Sequence, residues 1–231
     1  MKIRTVAVLA VPLAACLTMS AQAAPTKAPA PLVMTDTVGD GNGLNAQGFL
    51  TGGAGPVSAE GNATPADVAA VDIRNVTIAP TGTLSTKKVR GKKVTTFDCT
   101  GFTATIDLGA APLTTGALYR ITASATVNGL FWLEYHIAPG FDPETVLRYT
   151  DTPEALPPND KNLDIAPVKI VGTKLVFTVT NKNLKAVGER AGHITLSAFG
   201  ADIRANSGVI TAPILDQLIT DGSQSYKVCP L

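Results

Sequence analysis

Four carboxylate and amide side chains crowd the stretch TDTVGDGNGLN, residues 35–45: Asp36, Asp40, Asn42 and Asn45, spaced by three glycines. Carboxylates and amides are hard donors of the kind that surround Ca²⁺ with about six to eight oxygens. The spacing is not that of an EF-hand, because the fifth position counted from Asp40 is Leu44 and no glutamate closes the loop. A phosphate loop is a poorer fit still. Gly39, Gly41 and Gly43 neither follow a strand nor open a helix, and no lysine stands where one is needed. Two readings stay open: an ion cradle completed by a further oxygen from the fold, or a turn in which Asp and Asn side chains bond their own backbone.

A second constellation is Trp132, Glu134 and His136, alternate residues of one strand-like run. A tryptophan ring beside an acid and an imidazole on an open sheet is a candidate saccharide platform, with the ring to stack and the polar groups to orient. The competing reading is that loops cover this face and Trp132 is packing. As catalysts the three lack a nucleophile. The chain has no G-x-S-x-G or H-E-x-x-H run and only two histidines. Asp202 and Asp216 lie near the C-terminal strands with no partner visible in the sequence, and a hydrolase with two acids distant in the chain stays as an alternative. The run KKVRGKK gathers Lys87, Lys88, Arg90, Lys92 and Lys93. It reads either as a hairpin tip whose lysines deter edge pairing or as a contact for anionic wall polymer or lipid headgroups, weakened by salt.

The ends of the chain bound the setting. MKIR is followed by an apolar run from Val6 to Leu17 and the small-residue exit Ser20-Ala21-Gln22-Ala23, the pattern of a secretory signal peptide. The run is too short for a membrane span of about 20 residues. Leu13-Ala14-Ala15-Cys16 resembles a lipobox, which makes lipid anchoring through Cys16 the minority alternative to release. Cleavage after Ala23 leaves 208 of the 231 residues, with 17 basic against 18 acidic side chains, a net charge of −1 that favours neither nucleic acid nor an anionic membrane. Two cysteines then remain, Cys99 and Cys229, and outside the cell an isolated pair reads most simply as one disulfide. A two-cysteine metal site would lack His or Cys partners nearby.

The elements that must position these groups are strands. Residues 24–33, APTKAPAPLV, read as an extended, mobile spacer, and 36–66 as a long loop region. Val71–Ile78 reads as a strand whose apolar parity shifts between Ile73 and Val76, which predicts a bulge. Phe102–Leu108 and His193–Ala198 alternate at period two. Val168–Val171 and Lys174–Val179 flank Gly172-Thr173, a hairpin with a type II′ turn that sets Ile170 against Leu175. Tyr119–Ala125 and Phe131–Ile137 make another hairpin. A three-residue loop, 128–130, is expected there, pairing Ala125 with Leu133 and Ile121 with Ile137, with Gly129 left-handed and Trp132, Glu134 and His136 opposite Thr126, Ser124 and Thr122. Only Asn181–Gly188 has a helical look. Short alternating strands with no βαβ rhythm predict an all-β fold, a single antiparallel β-sandwich of jelly-roll or immunoglobulin-like type, over residues 34–231.

The feature order is Asp36-x-x-Gly-Asp-x-Asn-Gly43, a loop, ADVAAVDIRNVTI, a central hairpin, NKNLKAVG and a closing HITLSAFGADI. It resembles secreted β-sandwich domains of the DOMON and family 9 carbohydrate-binding type, including glucodextranase C-terminal modules and uncharacterised actinobacterial exported proteins. The resemblance covers roughly residues 34–231. It implies a calcium site near the N-terminus, carried here onto Asp36, Asp40 and Asn42 with Asp72 as partner, and sugar binding. The family's aromatic pairs have no counterpart here. Its haem-binding members use a Met and a His, and Met34 stands far in sequence from His136 and His193, so neither haem nor nucleotide is expected. The expectation is a secreted, non-catalytic module for carbohydrate or a cell-wall component, with Ca²⁺ as a structural ion. A structural or adhesive surface protein is the alternative.

Overall fold

A computed structural model describes residues 27–36, 65–125, 129–150, 160–186, 194–205, 214–219 and 225–228. Twelve strands and two short helices are laid out along them. The strands are β1 (Leu32–Thr35), β2 (Ile73–Val89), β3 (Lys92–Leu108), β4 (Ala117–Ala125), β5 (Gly129–Ile137), β6 (Glu144–Thr150), β7 (Asp160–Asp164), β8 (Lys169–Val171), β9 (Lys174–Thr180), β10 (Thr195–Ala205), β11 (Ile214–Ile219) and β12 (Ser225–Lys227); helices α1 (Pro65–Ala69) and α2 (Asn181–Ala186) lie among them. The first sheet runs β1-β2-β3-β9-β8, the second β11-β10-β4-β5-β6-β7 with β12 also on β10. Every described pairing is antiparallel. The expected all-β sandwich is the fold.

Alternation decides what goes inside. On β4, Tyr119, Ile121 and Ala123 are buried while Arg120, Thr122 and Ser124 are half exposed, the period-two pattern of a sheet with one face in the core. Phe102, Ala104 and Ile106 from β3 and Leu175, Phe177 and Val179 from β9 supply the opposing layer. The two layers meet where the Phe102 and Phe131 rings approach to 6.0 Å at a tilt of 45°, a favourable aromatic arrangement. Tyr119 ties the layers polarly as well. Its hydroxyl accepts from Leu113 N at 2.7 Å and donates to Ala70 O at 3.5 Å, and burial pushes the phenol well above its ordinary range.

β2 and β3 are each 17 residues long, more than twice the strands expected at 71–78 and 102–108. Two irregularities break their ladder. One lies between Ile73 and Asn75, where the parity shift predicts it; the other lies between Thr81 and Gly82, opposite Gly101 and Cys99. Gly101 has φ +147°, and a Cβ there would stand 2.0 Å from Val179 O, so only glycine lets β3 lie this close to β9. Just beyond, α2 is capped reciprocally. Asn183 N donates to Thr180 Oγ1 at 3.3 Å and Thr180 N donates to Asn183 Oδ1 at 2.9 Å, a capping box. Leu184 is fully buried, and Asn181 Nδ2 bonds Cys99 O at 2.8 Å.

Several local expectations need correction. β1 begins inside the segment read as spacer, pairing Leu32 with Ile78, while Tyr226 Oη donates to Ala30 O at 2.8 Å. α1 opens at Pro65, within the segment read as loop, where proline suits a first helical turn. In the β4–β5 hairpin Ala125 pairs with Gly129, Ile121 with Leu133 and Ala117 with Ile137, so the connection is 126–128. Gly129 is a strand residue rather than a left-handed one, and a Cβ there would fall 2.7 Å from the Tyr149 ring. Four residues of slip on one strand, like any even number, keep every side chain on its face, so alternation alone cannot choose between such registers. On β10, Ala198 has φ +50° and is exposed, and a bulge between Ser197 and Gly200 turns Phe199 inward. The Gly172-Thr173 turn is as expected: Ile170 pairs with Leu175 and Gly172 has φ +60°. Ile170 nonetheless stays 47% exposed, because β8 is the sheet edge.

Candidate functional site

The outer face of the second sheet collects the outward residues of four adjacent strands. β5 sends out Trp132, Glu134 and His136, as its alternation requires. Their cross-strand neighbours differ from those expected. On the β4 side they are Thr122, Arg120 and Leu118; on the β6 side Arg148, Val146 and Glu144. The corrected register therefore sets an arginine against Glu134, where a serine was expected.

Charge runs across this face in a chain. Asp202 on β10 takes both ends of a fork from Arg120 on β4, with Nε to Oδ1 at 2.6 Å and Nη2 to Oδ2 at 2.7 Å. Arg120 Nη1 lies 3.9 Å from Glu134 Oε1, and Glu134 Oε2 lies 2.9 Å from Arg148 Nε on β6. Two carboxylates and two guanidiniums thus alternate over four strands and neutralise one another. Asp202 and Glu134 are buried at 6% and 7% exposure, a burial tolerable only because each is paired. The fork geometry fixes the guanidinium planes and leaves their remaining N–H groups directed. Beside this network Trp132 is half exposed and His136 exposed. Asp202 accepts twice from Arg120, and Glu134 lies between two arginines.

Reading the sequence alone misses Arg120, Arg148 and the partner of Asp202. Their only trace is a charge at an outward position of each strand flanking Glu134. Asp216, whose partner the sequence does not show, accepts from Ile73 N at 2.5 Å, which links β11 to the start of β2.

The remaining candidates are placed only in part. Asp36 sits at the end of β1, its N–H donating to Arg74 O at 3.0 Å, and Asp72 Oδ2 lies 3.7 Å from Arg74 Nε. Asp40, Asn42 and Asn45 lie outside the described residues, as do the leader with Cys16, His193 and Cys229. Among the described residues no three His, Cys, Asp or Glu side chains gather to hold a metal, and no helix is long and apolar enough to cross a membrane. Cys99 is half buried, with its Sγ 3.4 Å from Gly101 O. Comparison of the chain with known families, curated proteins and solved structures finds no match.

Proposed function

We propose that the chain is an exported, non-catalytic binding module whose ligand is a neutral, hydroxyl-rich saccharide, free or as part of the cell envelope, taken on the outer face of the second sheet. The observation that carries this reading is the self-neutralised chain Asp202–Arg120–Glu134–Arg148 beside the half-exposed Trp132. A charged ligand would have to break an ion pair to be recognised, whereas a sugar hydroxyl can accept from a spare guanidinium N–H while its ring stacks on the indole. Thr122, directly opposite Trp132, and His136 add hydrogen-bonding groups along the same face. A β-sandwich agrees with the resemblance to DOMON and family 9 carbohydrate-binding domains, which remains part of the proposal.

Export, and the pairing of Cys99 with Cys229, belong to the same reading. Val228, the neighbour of Cys229, is fully buried and donates its N–H to Ile194 O at 3.0 Å, which holds the chain at the edge of the core just before that cysteine. A structural Ca²⁺ near residues 36–45 stays part of the proposal; of its ligands Asp36 and Asp72 are among the described residues, with Asp72 Oδ2 3.7 Å from Arg74 Nε.

Trp132 is the single tryptophan, so its emission reports the face directly. Titration of the mature chain with a panel of neutral oligosaccharides, in calcium and in EDTA, is expected to shift that emission with at least one member. Trp132→Ala is expected to abolish the same binding in calorimetry while the fold survives. A flat response across the panel overturns the proposal.

A further inference from the structure

The far half of the β2–β3 hairpin leaves the sandwich. β1 pairs with β2 only at residues 75–78, and β9 pairs with β3 only at 101–107. From Gly82 to Cys99 the two strands have, among the described residues, no partner but each other. At about 3.3 Å per residue this arm reaches roughly 25 Å. Its root is fixed by the hydrogen bond from Asn181 Nδ2 to Cys99 O. Its stem carries one acid, Asp98 near the root, and is zipped by cross-strand hydroxyl pairs, Ser85–Thr96 at 3.1 Å and Thr86–Thr95 at 2.9 Å. Its tip turns through Arg90 and Gly91, at φ +49° and +81°, the left-handed pair of a type I′ turn.

Five cations crowd that tip with no acid among residues 84–97. Lys88 and Lys93 stand directly opposite each other, a repulsive arrangement that deterring edge pairing does not require. On the other face Lys87 pairs with Val94 and Lys92 with Val89, and those valines are 38% and 52% exposed. The mature chain is otherwise acidic, so its small overall charge conceals a strongly segregated one.

We propose that this arm docks on an anionic phospholipid bilayer, its lysines and Arg90 on the headgroup phosphates and Val89 and Val94 entering the interface. The interleaved valines select this occupant. A dissolved polyanion would satisfy the cations but bury neither valine, whereas a bilayer surface takes amphipathic stems and charged heads together. The surface is separate from the Trp132 face, and the inference does not rest on saccharide binding.

The test is co-sedimentation of the mature chain with vesicles of phosphatidylglycerol and phosphatidylcholine, against phosphatidylcholine alone, at low and high salt. Binding is expected on the anionic vesicles only and is expected to fall steeply with salt. Neutralising one basic residue at such a surface weakens partitioning about fivefold, so the double variant Lys87→Gln, Lys92→Gln, on the face of the two valines, is expected to lose about 25-fold. Its melting point is expected to hold, because both side chains are exposed. Val89→Thr with Val94→Thr is expected to weaken vesicle binding and leave binding to soluble polyphosphate unchanged. Failure to sediment with anionic vesicles, or indifference to the lysine variant, overturns the proposal. Vesicle binding that ignores the valine variant and is matched by polyphosphate overturns the bilayer as the occupant.

Discussion

Asp202 shows how much one side chain can depend on a neighbour 82 positions away. Its carboxylate is buried, and both oxygens receive N–H groups from Arg120. Truncation would leave a guanidinium, itself only 25% exposed, with its charge half answered by Glu134 at 3.9 Å. Breaking a buried pair from one side commonly costs about 3–5 kcal/mol, and the partial exposure of Arg120 lowers that here. Asp202→Ala is therefore expected to lose about 3 kcal/mol in urea denaturation. A smaller loss is expected for Glu134→Gln, which keeps volume and an acceptor. An Asp202→Ala protein as stable as the parent would show that the ion chain does not hold β10 to β4.

At the scale of elements, glycines decide where strands bend and meet. Gly101 is forced twice over, by φ +147° and by the 2.0 Å gap to Val179 O. Gly172 has only its turn conformation to defend, with open space around it. Gly172→Ala is expected to cost about 1 kcal/mol. Gly101→Ala should cost several-fold more, since backbone must move; the pair can be ranked by thermal melts. Equal costs would place the bend at Cys99–Gly101 somewhere other than this contact. The Ile73–Asn75 bulge and the Gly172 turn were legible because each leaves a local mark, a parity shift or a two-residue spacing. The β4–β5 register was not, since registers differing by four residues present the same faces until Gly129 meets Tyr149 across the sheet.

For the whole molecule, the question is what keeps two sheets from separating at their ends. The proposed Cys99–Cys229 bridge would join β3 in the first sheet to the chain just past β12 in the second, closing a loop of about 130 residues. The loop-entropy account assigns such a closure up to about 5 kcal/mol. Reduction, or Cys229→Ala, is expected to lower the melting temperature by about 10–20 °C, and thiol counting of the denatured mature chain is expected to find none free. Two free thiols would remove the bridge. Burial also raises the Tyr119 phenol well above the ordinary tyrosine range. Its contribution is therefore complete below about pH 10 and declines as pH rises beyond it.

Sequence alone determined the sandwich, because period-two burial is written residue by residue and needs no knowledge of partners. It also placed Trp132, Glu134 and His136 on one outward face, since parity survives any even slip. Tertiary structure decided what stands beside them. Arg120, Arg148 and Asp202 come from three other strands and meet Glu134 only through register. The length of the β2–β3 arm was hidden for a related reason. Toward the tip its strands alternate weakly because residues 86–94 are exposed on both faces, and with no buried face there is no pattern to read.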